Sequence, residues 1–194
     1  QAFELGLNVL CEKPLGITVR AASLILEAQA KAGKVLSVAE NYRRDPMSRL
    51  TKALIEAGAI GQPTMLFDVS ASGGNSIIIL PWRHDLYRGG ILLDAGVHNV
   101  DMMQFYLGDV REVSALTALW EKTRYKPKTG AGPGGFYAHW YETMPESITP
   151  TAEDTLIASL RFAGGALGQW TQCYAAHGRG FGQHMLYGSQ GALK

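Results

Sequence analysis

Residues 8–14 read Asn8-Val9-Leu10-Cys11-Glu12-Lys13-Pro14, and residues 35–40 read Val35-Leu36-Ser37-Val38-Ala39-Glu40. Each segment is a short apolar run that ends in charged residues, which is typical of a buried strand. Between them, Thr18 is placed to cap a helix that continues to about Ala32 and stops at Gly33. A strand, helix, strand unit of this length predicts two parallel strands joined by a right-handed crossover.

Polar side chains follow both predicted strands. Glu12, Lys13 and Pro14 come after the first strand, and residues 40–44 come after the second. Because ligands of parallel α/β sheets bind beyond the carboxyl ends of the strands, we expect the two clusters to face one site. Lys13 lies between a strand end and a proline, so it could direct its ammonium group into that cleft, or it could be a surface lysine.

The sequence pattern changes after residue 44. Asp45 and Pro46 predict the start of a helix that runs to Gly58, and a long helix is predicted over residues 91–107. Strands are predicted at residues 65–72, 110–120, 154–162, 166–174 and 183–187, with a hairpin turn at Gly164-Gly165. We therefore predict an α/β unit over residues 1–44, followed over residues 45–194 by an α+β domain built on a mainly antiparallel sheet.

The two ends of the chain predict a fragment of a longer protein. Gln1 opens within an apolar-periodic helix that Gly6 would stop. Residues 188–194 read as a turn that leads into a strand without its full length. We expect segments of the protein to lie beyond both ends.

Composition and charge narrow the class of partner. The 194 residues contain 18 Lys and Arg against 17 Asp and Glu, spread evenly, which argues against nucleic acid or an anionic membrane as the main partner. The longest apolar run, residues 77–80, is far shorter than the roughly 18 residues of a membrane span. Cys11 and Cys173 are too few for a disulfide framework, which fits a cytoplasmic protein.

The helix predicted over residues 91–107 carries three polar side chains on one face. Asp94, His98 and Asp101 are spaced i, i+4 and i+7. A carboxylate and an imidazole so placed suit acid/base work on a hydroxyl group, although a histidine in this position could also be a hydrogen-bonded core residue. His177 and His184 lie in separate segments without ligand-like spacing, so we predict no metal site.

Two aromatic segments have two interpretations each. Trp82-Arg83 could supply an aromatic face and a hydrogen-bonding fork to the cleft, or could pack the domain. Residues 136–141 read Phe136-Tyr137-Ala138-His139-Trp140-Tyr141 and could stack on a sugar, or could form core or subunit contacts.

A literal Gly-x-Gly-x-x-Gly pattern occurs at residues 130–135, with Glu153 downstream. A dinucleotide fingerprint must join an apolar strand to a helix, and here the preceding segment is charged and contains proline. We therefore predict a surface loop.

Several motifs, in chain order, resemble the Gfo/Idh/MocA family of oxidoreductases, which includes glucose-fructose oxidoreductase and inositol dehydrogenase. The motifs occupy residues 8–15, 41–46, 82–83 and 89–101, and residues 151–154 and 161–168 are similar to the family's sheet-domain hairpin. One departure is Ile91, where many members have a third glycine.

The resemblance implies a two-domain enzyme that transfers a hydride between a hydroxyl-bearing carbon of a sugar or cyclitol and NAD or NADP. Residues 1–44 would be the C-terminal part of a Rossmann domain. Residues 45–194 would form a substrate and oligomerisation domain, incomplete at its C-terminus, of a homodimer or homotetramer. The chain by itself, without the glycine-rich turn, is expected to be inactive.

The resemblance also implies residue roles. The catalytic residues would be Lys13, Asp94 and His98; the cofactor-binding residues Glu12, Lys13, Pro14, Asn41 and Arg43; and the substrate-binding residues Lys13, Trp82, Arg83, Asp94 and His98. The peptide before Pro14 is often cis in the family. Two alternatives are an NAD-dependent glycosidase of the same family and a non-catalytic regulator that binds a sugar or dinucleotide.

Overall fold

The first part of the chain is a strand, helix, strand unit. A computed structural model describes residues 1–128 and 135–194, so the glycine pattern predicted as a surface loop lies outside the described residues except for Gly135. Strand β1 (Val9–Cys11) pairs in parallel with β2 (Leu36–Val38), and helix α1 (Val19–Ala32) connects them. Thr18 caps α1, and Gly33 ends it with a φ of 63°. This confirms the predicted elements and their parallel pairing.

The burial predicted for the two strands is wrong. Leu10 is 69% exposed, Val35 is 63% exposed, and every residue of α1 is at least partly exposed. The reason is that, among the described residues, the sheet has only two strands, and Leu10 lies on the face opposite to the half-buried Val9 and Cys11. Apolar strands of an α/β sheet become buried only when helices cover both faces.

The second part is built around a six-stranded sheet. Its strands are β3 (Pro63–Gly73), β4 (Val110–Ala118), β7 (Thr155–Phe162), β8 (Leu167–Ala176), β9 (Phe181–Gly188) and β10 (Ala192–Leu193), in the order β10-β9-β3-β8-β7-β4. Two-residue strands β5 (Arg124–Tyr125) and β6 (Ser147–Ile148) pair separately. Among the described residues, the large sheet has one parallel pair, β3 with β8. The mainly antiparallel sheet is therefore confirmed.

One face of this sheet is covered and the other is open. Helices α2 (Pro46–Glu56), α3 (Gly90–Leu107) and α4 (Ala138–Glu142) complete the domain. α3 approaches the sheet closely at Gly96, where a Cβ atom would lie 2.9 Å from the Trp170 ring. Residues of β7 alternate between buried and exposed, as in a sheet with one solvated face. No helix within residues 1–128 and 135–194 has the length and apolarity needed to cross a bilayer.

The start of α3 relies on two glycines rather than three. Gly89 and Gly90 have φ values of 98° and 74°, a region that favours glycine because it has no Cβ. A Cβ at Gly90 would also lie 2.6 Å from the Ala152 Cβ. Ile91 is helical and buried, so the departure from a third glycine leaves this turn intact.

A buried ion pair fixes the loop that leads to Trp82-Arg83. The side chain of Arg124 is fully buried and donates to the carbonyl oxygens of Gly74, Ser76 and Tyr174, and to Asp154 Oδ2 at 3.2 Å. Asp154 also accepts the backbone N–H groups of Trp120 and Glu121. Both charges are paired and hydrogen-bonded, as a buried ion pair requires.

Candidate active site

Lys13 and Asp94 meet between the end of β1 and the first turns of α3. The peptide between Lys13 and Pro14 is cis, as the resemblance implied. Lys13 Nζ donates to the Asp94 backbone oxygen at 2.7 Å and lies 3.2 Å from Asp94 Oδ1. The Arg83 guanidinium contacts Asp94 Oδ2. All three side chains are at most 15% exposed, so one carboxylate lies between two cations in a site with little screening by water.

His98 and Glu40 form the second contact of this site. The Nδ1 atom of His98 lies 2.8 Å from Glu40 Oε2 and 2.9 Å from Oε1. The ring of Tyr42 stacks on His98, with centroids 4.1 Å apart and planes 8° apart. An ionised carboxylate can only accept a hydrogen bond, so Nδ1 carries a proton, and Nε2 is the nitrogen that can take a proton from a substrate.

Glu40 was not predicted as a site residue. The cluster at residues 40–44 was expected to face the site, but the resemblance implied roles only for Asn41 and Arg43 within it. Its position in the sequence could have identified it as a site residue, because Glu40 follows β2 just as the Glu12-Lys13 pair follows β1. Its partner could not be found from sequence, since 58 residues separate it from His98.

Asp101 and Arg43 form the third contact along the same face of α3. Arg43 Nε and Nη2 lie 2.5 and 2.7 Å from the two Asp101 carboxylate oxygens, and the guanidinium lies over the Phe105 ring. The hydrogen bond to Asp101 raises the pKa of Arg43. Asp94, His98 and Asp101 therefore share one face, as predicted, and each contacts a residue that follows β1 or β2.

The other predicted cofactor residues lie at the same strand ends. Glu12 and Asn41 are exposed, and Pro14 is half-buried. Arg43 is held by Asp101, which lies about 10 Å along α3 from Asp94 at the usual helical rise. The cofactor roles of these residues stay predictions.

Two aromatic side chains extend the site. Trp82 lies next to the Arg83 guanidinium, whose central carbon is 5.8 Å from the ring centroid. Tyr174 on β8 was not predicted as a site residue, although burial and then the charges of Arg83, Asp68 and Asp94 shift the pKa of its phenol. Burial raises the pKa of Tyr174 to about 12, so this phenol remains a neutral hydrogen-bond donor near neutral pH.

The residues weighed for a metal site fall into separate contacts. His184 Nδ1 lies 3.2 Å from Asp68 Oδ1, and the hydrogen bond to Asp68 raises the pKa of His184. His177 pairs with Glu121 at 2.6 Å. Asp94 and His98 make the contacts described above. In the described part of the chain, no three metal-ligating side chains form a cluster.

The family described as GFO/IDH/MocA C-terminal domain matches residues 48–194. The chain belongs to the GFO/IDH/MocA family. This agrees with the motifs found in the sequence and with the helix-covered sheet of the structure.

Relatives within the GFO/IDH/MocA family include sugar and cyclitol dehydrogenases. The chain is 31% identical to levoglucosan dehydrogenase of Pseudarthrobacter phenanthrenivorans, over 99% of this chain and 50% of the relative. It is 28% identical to myo-inositol 2-dehydrogenase of Thermotoga maritima, over 83% of this chain and 41% of the relative. A levoglucosan dehydrogenase solved with NADH and L-sorbose matches with a TM-score of 0.78 and 29% identity, over 98% of this chain and 48% of that one. The chain thus spans half or less of the length of these relatives.

Proposed function

We propose that the full-length protein carrying this chain is an NAD-dependent oxidoreductase that oxidises a hydroxyl group of a sugar or cyclitol. The observation that carries the proposal is the pairing of Lys13 with Asp94 beside the pairing of His98 with Glu40. Together they supply a proton acceptor and a cation at one place. The dehydrogenases named above, one of them solved with NADH and L-sorbose, support this class of substrate and cofactor.

The residues at the ends of β1 and β2 fit a nicotinamide cofactor. Glu12 and Asn41 are exposed there, and a carboxylate and an amide suit the hydroxyl groups of a ribose. Lys13 and Pro14 would lie beside the nicotinamide, and Arg43 near its ribose. Ligands of parallel sheets bind at this edge. When bound, NAD or NADP accepts the hydride from the carbon that bears the reacting hydroxyl group.

The side chains of this chain would accept the proton of the reacting hydroxyl group and stabilise the negative charge that develops on its oxygen. His98 Nε2 accepts the hydroxyl proton, and the Glu40 carboxylate stabilises the imidazolium that forms. Lys13 has three N–H donors, two of which face Asp94, so the third can bond the reacting oxygen and stabilise its developing negative charge. Asp94, fixed between Lys13 and Arg83, accepts a hydrogen bond from a neighbouring hydroxyl group.

The protein is further proposed to be a cytoplasmic homo-oligomer with no nucleic-acid or membrane partner. The open face of the sheet carries large apolar side chains with substantial exposure: Met65, Leu116, Ile157, Leu167 and Phe181. An apolar patch of this kind favours association with another protein surface, and a second copy would bury it as a homodimer or within a homotetramer. Both cysteines are free thiols, which fits a reducing compartment.

The test is to incubate the full-length protein with NAD and a panel of sugars and cyclitols that includes levoglucosan, L-sorbose and myo-inositol. We expect at least one compound to yield NADH and the oxidised product in equal amounts. Hydrolysis of a glycoside without net NADH would instead support the glycosidase. If the protein bound a sugar without any turnover, it would be a regulator.

A further inference from the structure

A large aromatic cavity lies beside the candidate active site. Its volume is about 830 Å³, which falls in the range of roughly 300–1,000 Å³ typical of small-molecule sites. Four aromatic side chains contribute to its lining: Trp82, Tyr87, Tyr137 and Trp140. Two of them belong to the aromatic segment at residues 136–141, for which the proposed reaction gives no role.

The adjacent side chains of Trp82 and Arg83 connect the wall of the cavity to the active site. The Arg83 guanidinium lies 5.8 Å from the Trp82 ring centroid and also contacts Asp94. Trp82 in turn lines the cavity. The chain of contacts from the cavity wall to the Asp94 carboxylate therefore consists of two side chains, Trp82 and Arg83.

The lining has the chemistry of a carbohydrate site. The C–H groups on the face of a sugar ring are apolar and pack against aromatic rings, while the hydroxyl groups at its edge need polar partners. Polar partners are present, because Asp85, Arg88 and Thr149 also line the cavity. Tyr87 is 88% exposed, so its ring makes little packing contact with the described residues and is available to a ligand.

We propose that this aromatic cavity is a second carbohydrate subsite, which binds the sugar unit attached to the one that is oxidised. The preferred substrate is then a disaccharide or a glycoside, and a single sugar unit binds more weakly. The inference rests on the proposed function, since it takes the site around Asp94 to hold the first sugar unit.

The binding test uses the full-length protein and saturation-transfer NMR with cellobiose, maltose, lactose and glucose as probes. We expect at least one disaccharide to bind about 10-fold more tightly than glucose, an effect of the size expected for aromatic stacking. Tyr87→Ala should remove this preference and leave glucose binding unchanged. Trp140 also packs against the buried residues Leu80 and Met144, so it is tested as Trp140→Phe, which keeps a ring and should keep the preference.

The matched control is Trp120→Ala, because Trp120 is exposed and does not line the cavity. It should bind all four sugars as the wild type does. Equal affinity of the wild type for all four sugars would overturn the subsite, and so would a preference that survives Tyr87→Ala. If Tyr87→Ala changed the sedimentation coefficient but not the preference, the ring would belong to a subunit contact and the proposal would fall. Failure of the proposed function would give a different result: no sugar would yield NADH, while the preference for a disaccharide in the binding test would remain.

Discussion

His98 on α3 lies within hydrogen-bonding distance of Glu40, the first polar residue after β2, with 2.8 Å between His98 Nδ1 and Glu40 Oε2. The contact joins the two parts of the chain and fixes which ring nitrogen carries the proton. Since both side chains are about nine-tenths buried, water screens the pair little. The histidine proposed to accept the substrate proton is thus oriented by a residue from the first part of the chain.

Replacement of Glu40 by glutamine is the first test of this arrangement. The amide keeps the size of the side chain but removes the negative charge that stabilises a protonated imidazole. We expect Glu40→Gln in the full-length enzyme to lower kcat by about 100-fold, with a small change in KM for NAD. Glu27→Gln on the exposed surface of α1 is the control. Turnover close to that of the wild type would mean that Glu40 has no role in positioning His98.

Asp94→Asn should affect both substrate binding and stability. Lys13 and Arg83 would face a neutral amide instead of a carboxylate, and an uncompensated buried charge costs about 3 kcal/mol or more. We expect a lower free energy of unfolding in urea, and a fall of at least about 100-fold in kcat/KM that comes partly from a higher KM for the sugar. Asp109→Asn, at an exposed position, serves as the control. An unchanged KM would remove Asp94 from substrate binding.

His84 makes stability depend on pH. Burial lowers the pKa of His84 to about 4, and its Nε2 accepts a hydrogen bond from the Ile78 backbone N–H at 3.0 Å. In the unfolded chain the pKa is about 6.5, so between pH 6.5 and 4 the unfolded state binds a proton that the folded state does not. The free energy of unfolding should therefore fall by up to roughly 3 kcal/mol as the pH drops through this window. The measurement is urea unfolding at a series of pH values.

His84→Gln separates this effect from the titration of other groups. Glutamine can accept the same hydrogen bond but does not titrate, so the variant should lose much of the decrease in stability between pH 6.5 and 4. If the variant and the wild type showed the same dependence on pH, proton uptake by His84 would not be its cause.

The open face of the sheet should control self-association. Ile157 and Leu116 are adjacent on this face and more than half exposed. A charge placed among them would have to be desolvated in the interface, so Ile157→Lys should shift the full-length protein to monomer in sedimentation at micromolar concentration. Ala30→Lys on α1 should leave the oligomeric state unchanged. A wild-type protein that is monomeric at this concentration would contradict the proposal.

Local chemistry explains which elements could be predicted from the sequence. The ends of α1 were predictable because Thr18 Oγ1 accepts the Ala21 N–H and Gly33 adopts a positive φ, and both features depend on neighbouring residues. The alternation of β7 likewise follows from residues next to one another in the chain. The helix α4 was not predicted, because a five-residue segment is too short to show helical periodicity.

Long-range contacts set the limit of the sequence analysis. The spacing of Asp94, His98 and Asp101 predicted a shared face, but the partner of each side chain depends on how α3 docks against β1 and β2. Glu40 and Tyr174 were missed for the same reason, since they join the site only through the tertiary fold. The parallel pairing of β3 with β8 is also not evident from either strand's own pattern.

Transfer of a deuterium label tests the proposed chemistry. The best sugar or cyclitol substrate is prepared with deuterium on the carbon to be oxidised. The deuterium content of the NADH formed by the full-length enzyme is then measured by mass spectrometry. We expect one deuterium in each NADH, and Lys13→Ala should slow its appearance by at least about 100-fold, as should His98→Gln. Lys31→Ala at an exposed position of α1 should not slow it. NADH without the label, or a Lys13→Ala variant as fast as the wild type, would contradict hydride transfer assisted by Lys13.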